Sequence, residues 1–254
     1  MKKVKLGRHS LEIYDSIDEL PMARYHKLSK FMLIDAHIGS EIADFDIRAE
    51  KIIQYIRTNK LDLAEKELMN MRQNVHFIQT GVSPKDMAFA VLVHKLDGKL
   101  IDDISEESLK RVCDALGDVP AGQMMTTIEA SKKKLDDELK QYFPALFDSS
   151  SVKEYYSKLK RRTLLVLEKL VNGKLTPEQE KELNNLTVEI ELFCEPACFS
   201  GPESLEIQQD KQYESACLII SQSTGANPKA FTVLEYFNAL MFIREQNKKQ
   251  SKRK

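Results

Sequence analysis

Cys194 and Cys198, flanked by Glu191 and Glu195, are the one place in this 254-residue chain where potential metal ligands cluster. Zinc sites commonly set two cysteines two to four residues apart and then add a second matching pair. Here Cys217 offers a third thiol, but every histidine lies in the first 94 residues. An iron–sulfur spacing fails too, since no further cysteine follows Cys198 at the required distance. Two small residues packed in a loop account for the same sequence, and both readings stand at this point. The histidines (His9, His26, His37, His76 and His94) include no pair at i, i+3 or i, i+4, so no helical metal pair is available. Cys113 is the cysteine nearest to them in sequence, and no signature marks it as a nucleophile. His94 closes an apolar run and reads as a helix-end residue.

Asp102-Asp103 and Asp136-Asp137-Glu138 supply adjacent carboxylates. Neighbours on a helix point about 100° apart, so these groups diverge and read as solvated faces. The chain has no glycine-rich phosphate loop, no Walker A motif and no Gly-x-Ser-x-Gly elbow. No catalytic, cofactor-binding or metal residue is therefore assigned, and the chain reads as a non-enzyme. Basic residues gather twice: Lys158, Lys160, Arg161 and Arg162 mid-chain, then Lys248, Lys249, Lys252, Arg253 and Lys254 at the end. Such groups neutralise phosphates, but no aromatic residues are interleaved for base stacking. Pairing with neighbouring acids or a partner chain explains them equally well.

The elements that would position these residues are mainly helical. Nine glycines and eight prolines leave little turn material for a many-stranded β fold. The formal charge, 38 − 39 = −1, gives no global attraction to nucleic acid or anionic lipid. No run of about 18 apolar residues occurs, so no membrane span is expected. Four cysteines without a leader-like N-terminus point to reduced thiols.

In chain order, Val4 and Leu6, then Leu11 and Ile13, alternate about Gly7 as a β-hairpin. Asp18 caps a helix running to about Ala36, with Pro21 in its first turn and Gly39 ending it. Ile42–Ile56 buries Ile42, Phe45, Ala49, Ile52, Ile53 and Ile56. Leu61–Gln79 buries Leu61, Ala64, Leu68, Met71, Val75 and Ile78. Ser83 and Pro84 start a nearly all-apolar helix to Leu96, and Asp97-Gly98 is a tight turn. Ser105 caps a short helix. A longer segment from Pro120 to Phe143 carries a charged, solvated middle that could bridge two lobes.

The stretch Val152–Val171 is apolar on more than one side and is expected to be the centre of a helical core. Thr176-Pro177-Glu178-Gln179 forms a capping box for the next helix. Two more helices follow, near 205–223 and from about Phe231. The expected fold is a multi-helix bundle, mainly α, with a short N-terminal β-hairpin. Its expected parts are residues 1–147 (hairpin and helical lobe), 148–247 (a helical lobe around 152–171) and a basic tail, 248–254.

Three features together carry a resemblance. A strand–turn–strand leads into Asp15-Ser16-Ile17-Asp18-Glu19-Leu20. A helix with Arg24-Tyr25-His26-Lys27 follows, and a late helix bears Phe231-x-x-Leu234-Glu235-Tyr236-Phe237 before the basic tail. This resembles helical virion-assembly proteins of tailed bacteriophages, either head–tail connector or ring components or tail-assembly chaperones. The likeness is confined to the two ends of the chain and carries no catalytic residue. It implies a homo-oligomer that binds other phage structural proteins, in the virion or the host cytoplasm. The partner-contact candidates are Val4, Leu6, Leu11 and Ile13 on the hairpin, Lys158, Arg161 and Arg162 in the patch, and the basic tail. A nucleic-acid-associated regulator using that tail is the alternative, and a metalloprotein at Cys194/Cys198 is a third.

Overall fold

A computed structural model describes residues 1–144, 150–193 and 195–251. The fold is mainly α, with a small antiparallel sheet built on the N-terminal hairpin. Strands β1 (Lys2–Leu6) and β2 (His9–Ile13) pair in register Lys2↔Ile13 to Leu6↔His9, around Gly7 at φ 56°. Two more strands, β3 (Val93–Leu96) and β4 (Lys99–Leu100), extend the sheet in the order β1-β2-β3-β4.

The helix expected to reach Leu96 is therefore shorter. α4 (Pro84–Leu92) stops where Val93 and Leu96 pair with Ile13 and Leu11. A short apolar run suits a buried helix or a buried strand equally, and the nearby β2 edge decides between them. Asp97 (φ 49°) and Gly98 (φ 80°) then make the two-residue turn whose positive φ angles match strand twist. The other end of α4 follows the expectation: Ser83 Oγ accepts from the Asp86 N–H at 3.0 Å, with Pro84 at the first helical position.

α1 (Met22–His37) begins later than an Asp18 cap would place it. Pro21 is extended and pairs with Thr232. The turn before it serves another helix: the N–H groups of Val233 and Leu234 donate to Leu20 O and Ile17 O at 2.9 Å. These are first-turn donors of a late helix, satisfied by a distant loop beside a local capping box, in which Glu235 N donates to Thr232 Oγ1 at 3.3 Å and Thr232 N to the Glu235 carboxylate at 2.8 Å. α1 ends at Gly39, whose φ of 69° and missing Cβ are both required; a Cβ there would lie 2.2 Å from the Asp44 carboxylate.

The centre of the core is α4. Met87 to Leu92 are all buried, covered by α1, the sheet and α5 (Glu106–Ala115), and Leu11, Ile13, Leu20, Leu109 and Leu116 are buried in the same unit. α6 (Ala121–Tyr142) turns Ile128, Ser131, Leu135 and Leu139 inward. Its charged middle is not simply solvated: Lys134 pairs with Asp15 at 3.0 Å, and Glu138 accepts from Ser16 Oγ and Ile17 N at 2.9 Å.

The chain divides into two compact units, residues 1–143 with 197–254 and residues 144–196. This differs from a C-terminal lobe over 148–247. α9 (Leu205–Thr224) and α10 (Val233–Ser251) belong to the first unit, where Met22 N donates to Phe231 O at 2.8 Å and Tyr25 packs edge-on against Phe237. The second unit is a helical hairpin of α7 (Ser150–Asn172) and α8 (Pro177–Phe193). Its Thr176–Gln179 capping box forms as expected, with the reciprocal bonds at 3.0 and 3.3 Å. Its core is thin. Leu165 is buried, but Leu170 and Val171 are 74% and 83% exposed, so α7 is not the hub of a helical core. One partner helix covers one side, whereas α4 is covered on all sides.

Candidate functional site

The hairpin residues expected to meet a partner are mostly interior. Leu6, Leu11 and Ile13 are buried and Val4 is half-buried, because they share the face of the β1–β2 hairpin that turns inward. This corrects their assignment as a contact surface. The longer outer strand is β1, where Lys2, Lys3 and Lys5 are exposed. Lysines along an edge oppose pairing with another sheet.

The mid-chain basic patch faces acids of its own hairpin. Lys158 contacts Glu154 at 2.7 Å and Glu189 at 3.1 Å. Arg161 grips Glu182 with two bonds of 2.8 Å, and Arg162 donates to Thr187. Lys158 and Arg161 thus meet carboxylates of α8, a pairing that apolar periodicity does not reveal. Lys248 and Lys249 are exposed near the end of α10. Lys252, Arg253 and Lys254 lie outside the described residues.

Cys194 also lies outside the described residues, and the Cys198 thiol donates to Ser200 O at 3.0 Å. Among the described residues, no group of three or more His, Cys, Asp or Glu side chains is placed to hold a metal ion. Burial, with Asp86 and Asp114 nearby, pushes the Cys113 thiol up to about 12, and burial raises Cys217 as well. Neither is a ready thiolate.

The histidines have partners of their own. His9 Nδ1 contacts Asp97 at 2.7 Å, His26 Nε2 contacts Asp210 at 2.7 Å, and His94 Nδ1 contacts the Tyr14 hydroxyl at 2.9 Å. His94 is the extra residue of a bulge opposite Glu12 and Ile13. Burial, then the charges of Lys95 and Arg24, holds its pKa below the ordinary 6.5. An unfolded chain would protonate this site first as pH falls. Its contribution to stability is therefore complete above pH 6.5 and is lost as pH falls through the lower folded value. The unfolding free energy should decline between pH 7 and 5, by at most about 1.4 kcal/mol per pH unit for this one proton, and the thermal midpoint should fall with it. His94→Gln should flatten that part of the profile.

Two features stand out from ordinary helix packing. The first is the hairpin of α2 (Ile42–Arg57) and α3 (Leu61–Thr80). Its inner face is polar: Arg48 donates to Glu67 at 2.8 Å and to Ile38 O at 2.9 Å, and a further N–H reaches His37 O. Those carbonyls are the open end of α1. Asn70 donates to Ala197 O at 2.9 Å and Gln73 to Phe199 O at 3.2 Å, which ties α3 to the loop before α9. The outer face mixes exposed charged residues, among them Glu50, Lys51, Arg57, Glu65 and Arg72, with exposed aliphatic ones. Ile42, Ile53 and Ile56 on α2, and Leu61 and Leu68 on α3, are exposed, Ile56 by 55% and Leu61 by 60%. Apolar spacing assigns these residues to the core, and Arg48, Glu67 and Asn74 take the interior instead.

The second feature is a groove of 490 Å³ among α1, α3, α4, α5 and α9, within the range of ligand pockets. Phe31, Phe77 and Met87 line its apolar part, and Glu106, Glu107 and Glu206 line it with carboxylates. Burial raises the Glu206 pKa, against the pull of Lys30. No segment of the sequence signals this groove, because its walls come from five separate helices.

No protein-family profile, curated protein or solved structure matches the chain.

Proposed function

We propose that this chain is a non-enzymatic assembly protein that works by docking other proteins, of the kind that builds tailed-phage particles. The observation that carries the reading is the reversed hairpin α2–α3. Its ion pair and amides are inside, and Ile53, Ile56, Leu61 and Leu68 are exposed outside. Exposed aliphatic residues gathered on one hairpin are a feature of protein contacts. Helical partners dock through residues at such three- and four-residue steps. The partner class, a virion structural component, comes from the sequence resemblance at the two ends of the chain. The interior is held by the Arg48–Glu67 pair and the amides together with Ala64 and half-buried Ile52 and Val75, and Ile53, Ile56, Leu61 and Leu68 stay outside it.

The test replaces Ile53, Ile56 and Leu68 together by serine. Helix content and thermal midpoint should hold, since the residues are exposed, while particle yield in complementation should fall on the order of tenfold or more. Normal yield from a folded triple variant would defeat the reading.

A further inference from the structure

The groove beside α5 and the end of α10 are complementary, and they lie on different helices of one unit. Glu106 and Glu107 have no ion-pair partner among the described residues, and Glu206 is 3.9 Å from Lys30. The groove's cation is Lys110, so its lining carries an excess of negative charge around Phe31, Phe77 and Met87. The C-terminal part of α10 has the opposite character. Phe242 is 60% exposed, and beyond it Arg244, Lys248 and Lys249 outnumber the one exposed acid, Glu245. Phe242 and Lys249 are seven residues apart and therefore share a helix face, about 10 Å apart along the axis. An apolar ring followed by a cation matches an apolar groove bordered by carboxylates. In its own chain α10 is helical to Ser251 and none of its residues lines the groove.

We infer that the groove receives the end of α10 from a second copy of this chain, with Phe242 on the Phe31–Phe77–Met87 surface and Lys248 and Lys249 on Glu106 and Glu107. The two surfaces differ, so the contact is head-to-tail. It leaves one groove and one α10 end open for the next copy. Such a heterologous contact closes into a ring or extends as a filament, depending on its rotation. It uses neither the aliphatic residues of α2 nor those of α3, and so goes beyond the docking surface proposed above.

The experiment is sedimentation of the full chain across a concentration series at low and high salt. Wild type should form multimers that weaken as salt rises, since the contacts are charged and lie at the rim. Lys248→Glu/Lys249→Glu, and separately Glu106→Lys/Glu107→Lys, should each weaken association on the order of tenfold. Phe242→Ser should weaken it without altering charge. All these positions but half-buried Glu206, which is left unchanged, are exposed, and circular dichroism checks the fold. Mixing the two charge-reversed chains should restore multimers, because each tail then meets a groove of opposite sign.

Association untouched by either reversal, or reversal without rescue on mixing, overturns the inference. So does a chain that stays monomeric, including one that instead binds DNA through Lys248 and Lys249. Any of these results leaves the α2–α3 docking reading standing, because particle yield of the triple serine variant tests that separately.

Discussion

Glu67→Ala is expected to lower the unfolding free energy by about 3–5 kcal/mol, the usual cost of stranding one member of a buried ion pair. Glu67 is 2% exposed and accepts from Arg48 at 2.8 Å. Without it the Arg48 guanidinium keeps its bonds to His37 O and Ile38 O but loses its counter-charge in a site water does not reach. Arg48→Met leaves Glu67 equally stranded, and in addition opens the carbonyl end of α1. The double variant Arg48→Met/Glu67→Leu should recover part of the loss, since an apolar pair of similar volume often replaces a buried ion pair at little net cost. Recovery should be incomplete, because the two α1 carbonyls remain without their donor. Urea unfolding of the four chains measures the coupling directly. A loss below about 1 kcal/mol for Glu67→Ala would show that water reaches the pair, as at a surface bridge.

The second large effect separates the two helices that compete for the centre of the fold. Leu92→Ala removes a fully buried side chain at the end of α4 and should cost about 2–5 kcal/mol, the transfer term plus the cavity left behind. Leu170→Ala, in a stretch of α7 that is just as rich in leucine, should change stability by no more than about 0.5 kcal/mol because the side chain is largely exposed. Thermal unfolding of the two single variants is sufficient. Comparable losses would restore α7 as a core helix.

These contrasts show how far local pattern reaches. Helix starts at Ser83, Ser105 and Thr176 are readable because an N-cap bonds residues two or three positions away, entirely within the local sequence. The Gly39 and Gly225 ends are readable for the same reason, each being a left-handed position that favours glycine. The Val4–Ile13 hairpin is local as well. The type of element, and the mainly helical class, follow from such short-range preferences.

The candidate surfaces were legible only in part. Leu6, Leu11 and Ile13 were identifiable as one apolar set but not as a buried one, because alternation shows that they share a face and not that the face turns inward. Asp97-Gly98 was legible as a tight turn but not as a hairpin, because the apolar run before it reads as helix until the β2 edge pairs with it. Nothing comparable marks the groove.

Sequence by itself determined the helix ends marked by a local cap or glycine, that the chain is mainly α, and that its N-terminus is a hairpin, since caps, glycines and alternation act over a few residues. Tertiary structure decided which apolar faces are covered. On α2 and α3 the interior went to Arg48, Glu67 and Asn74, because the open carbonyls of α1 and the 197–199 loop need donors more than the hairpin needs further aliphatic contact. Apolar periodicity records that a stripe exists. Whether a stripe is buried depends on what distant chain segments bring to it, and on these two helices they brought polar groups to one side and left the isoleucines and leucines on the other.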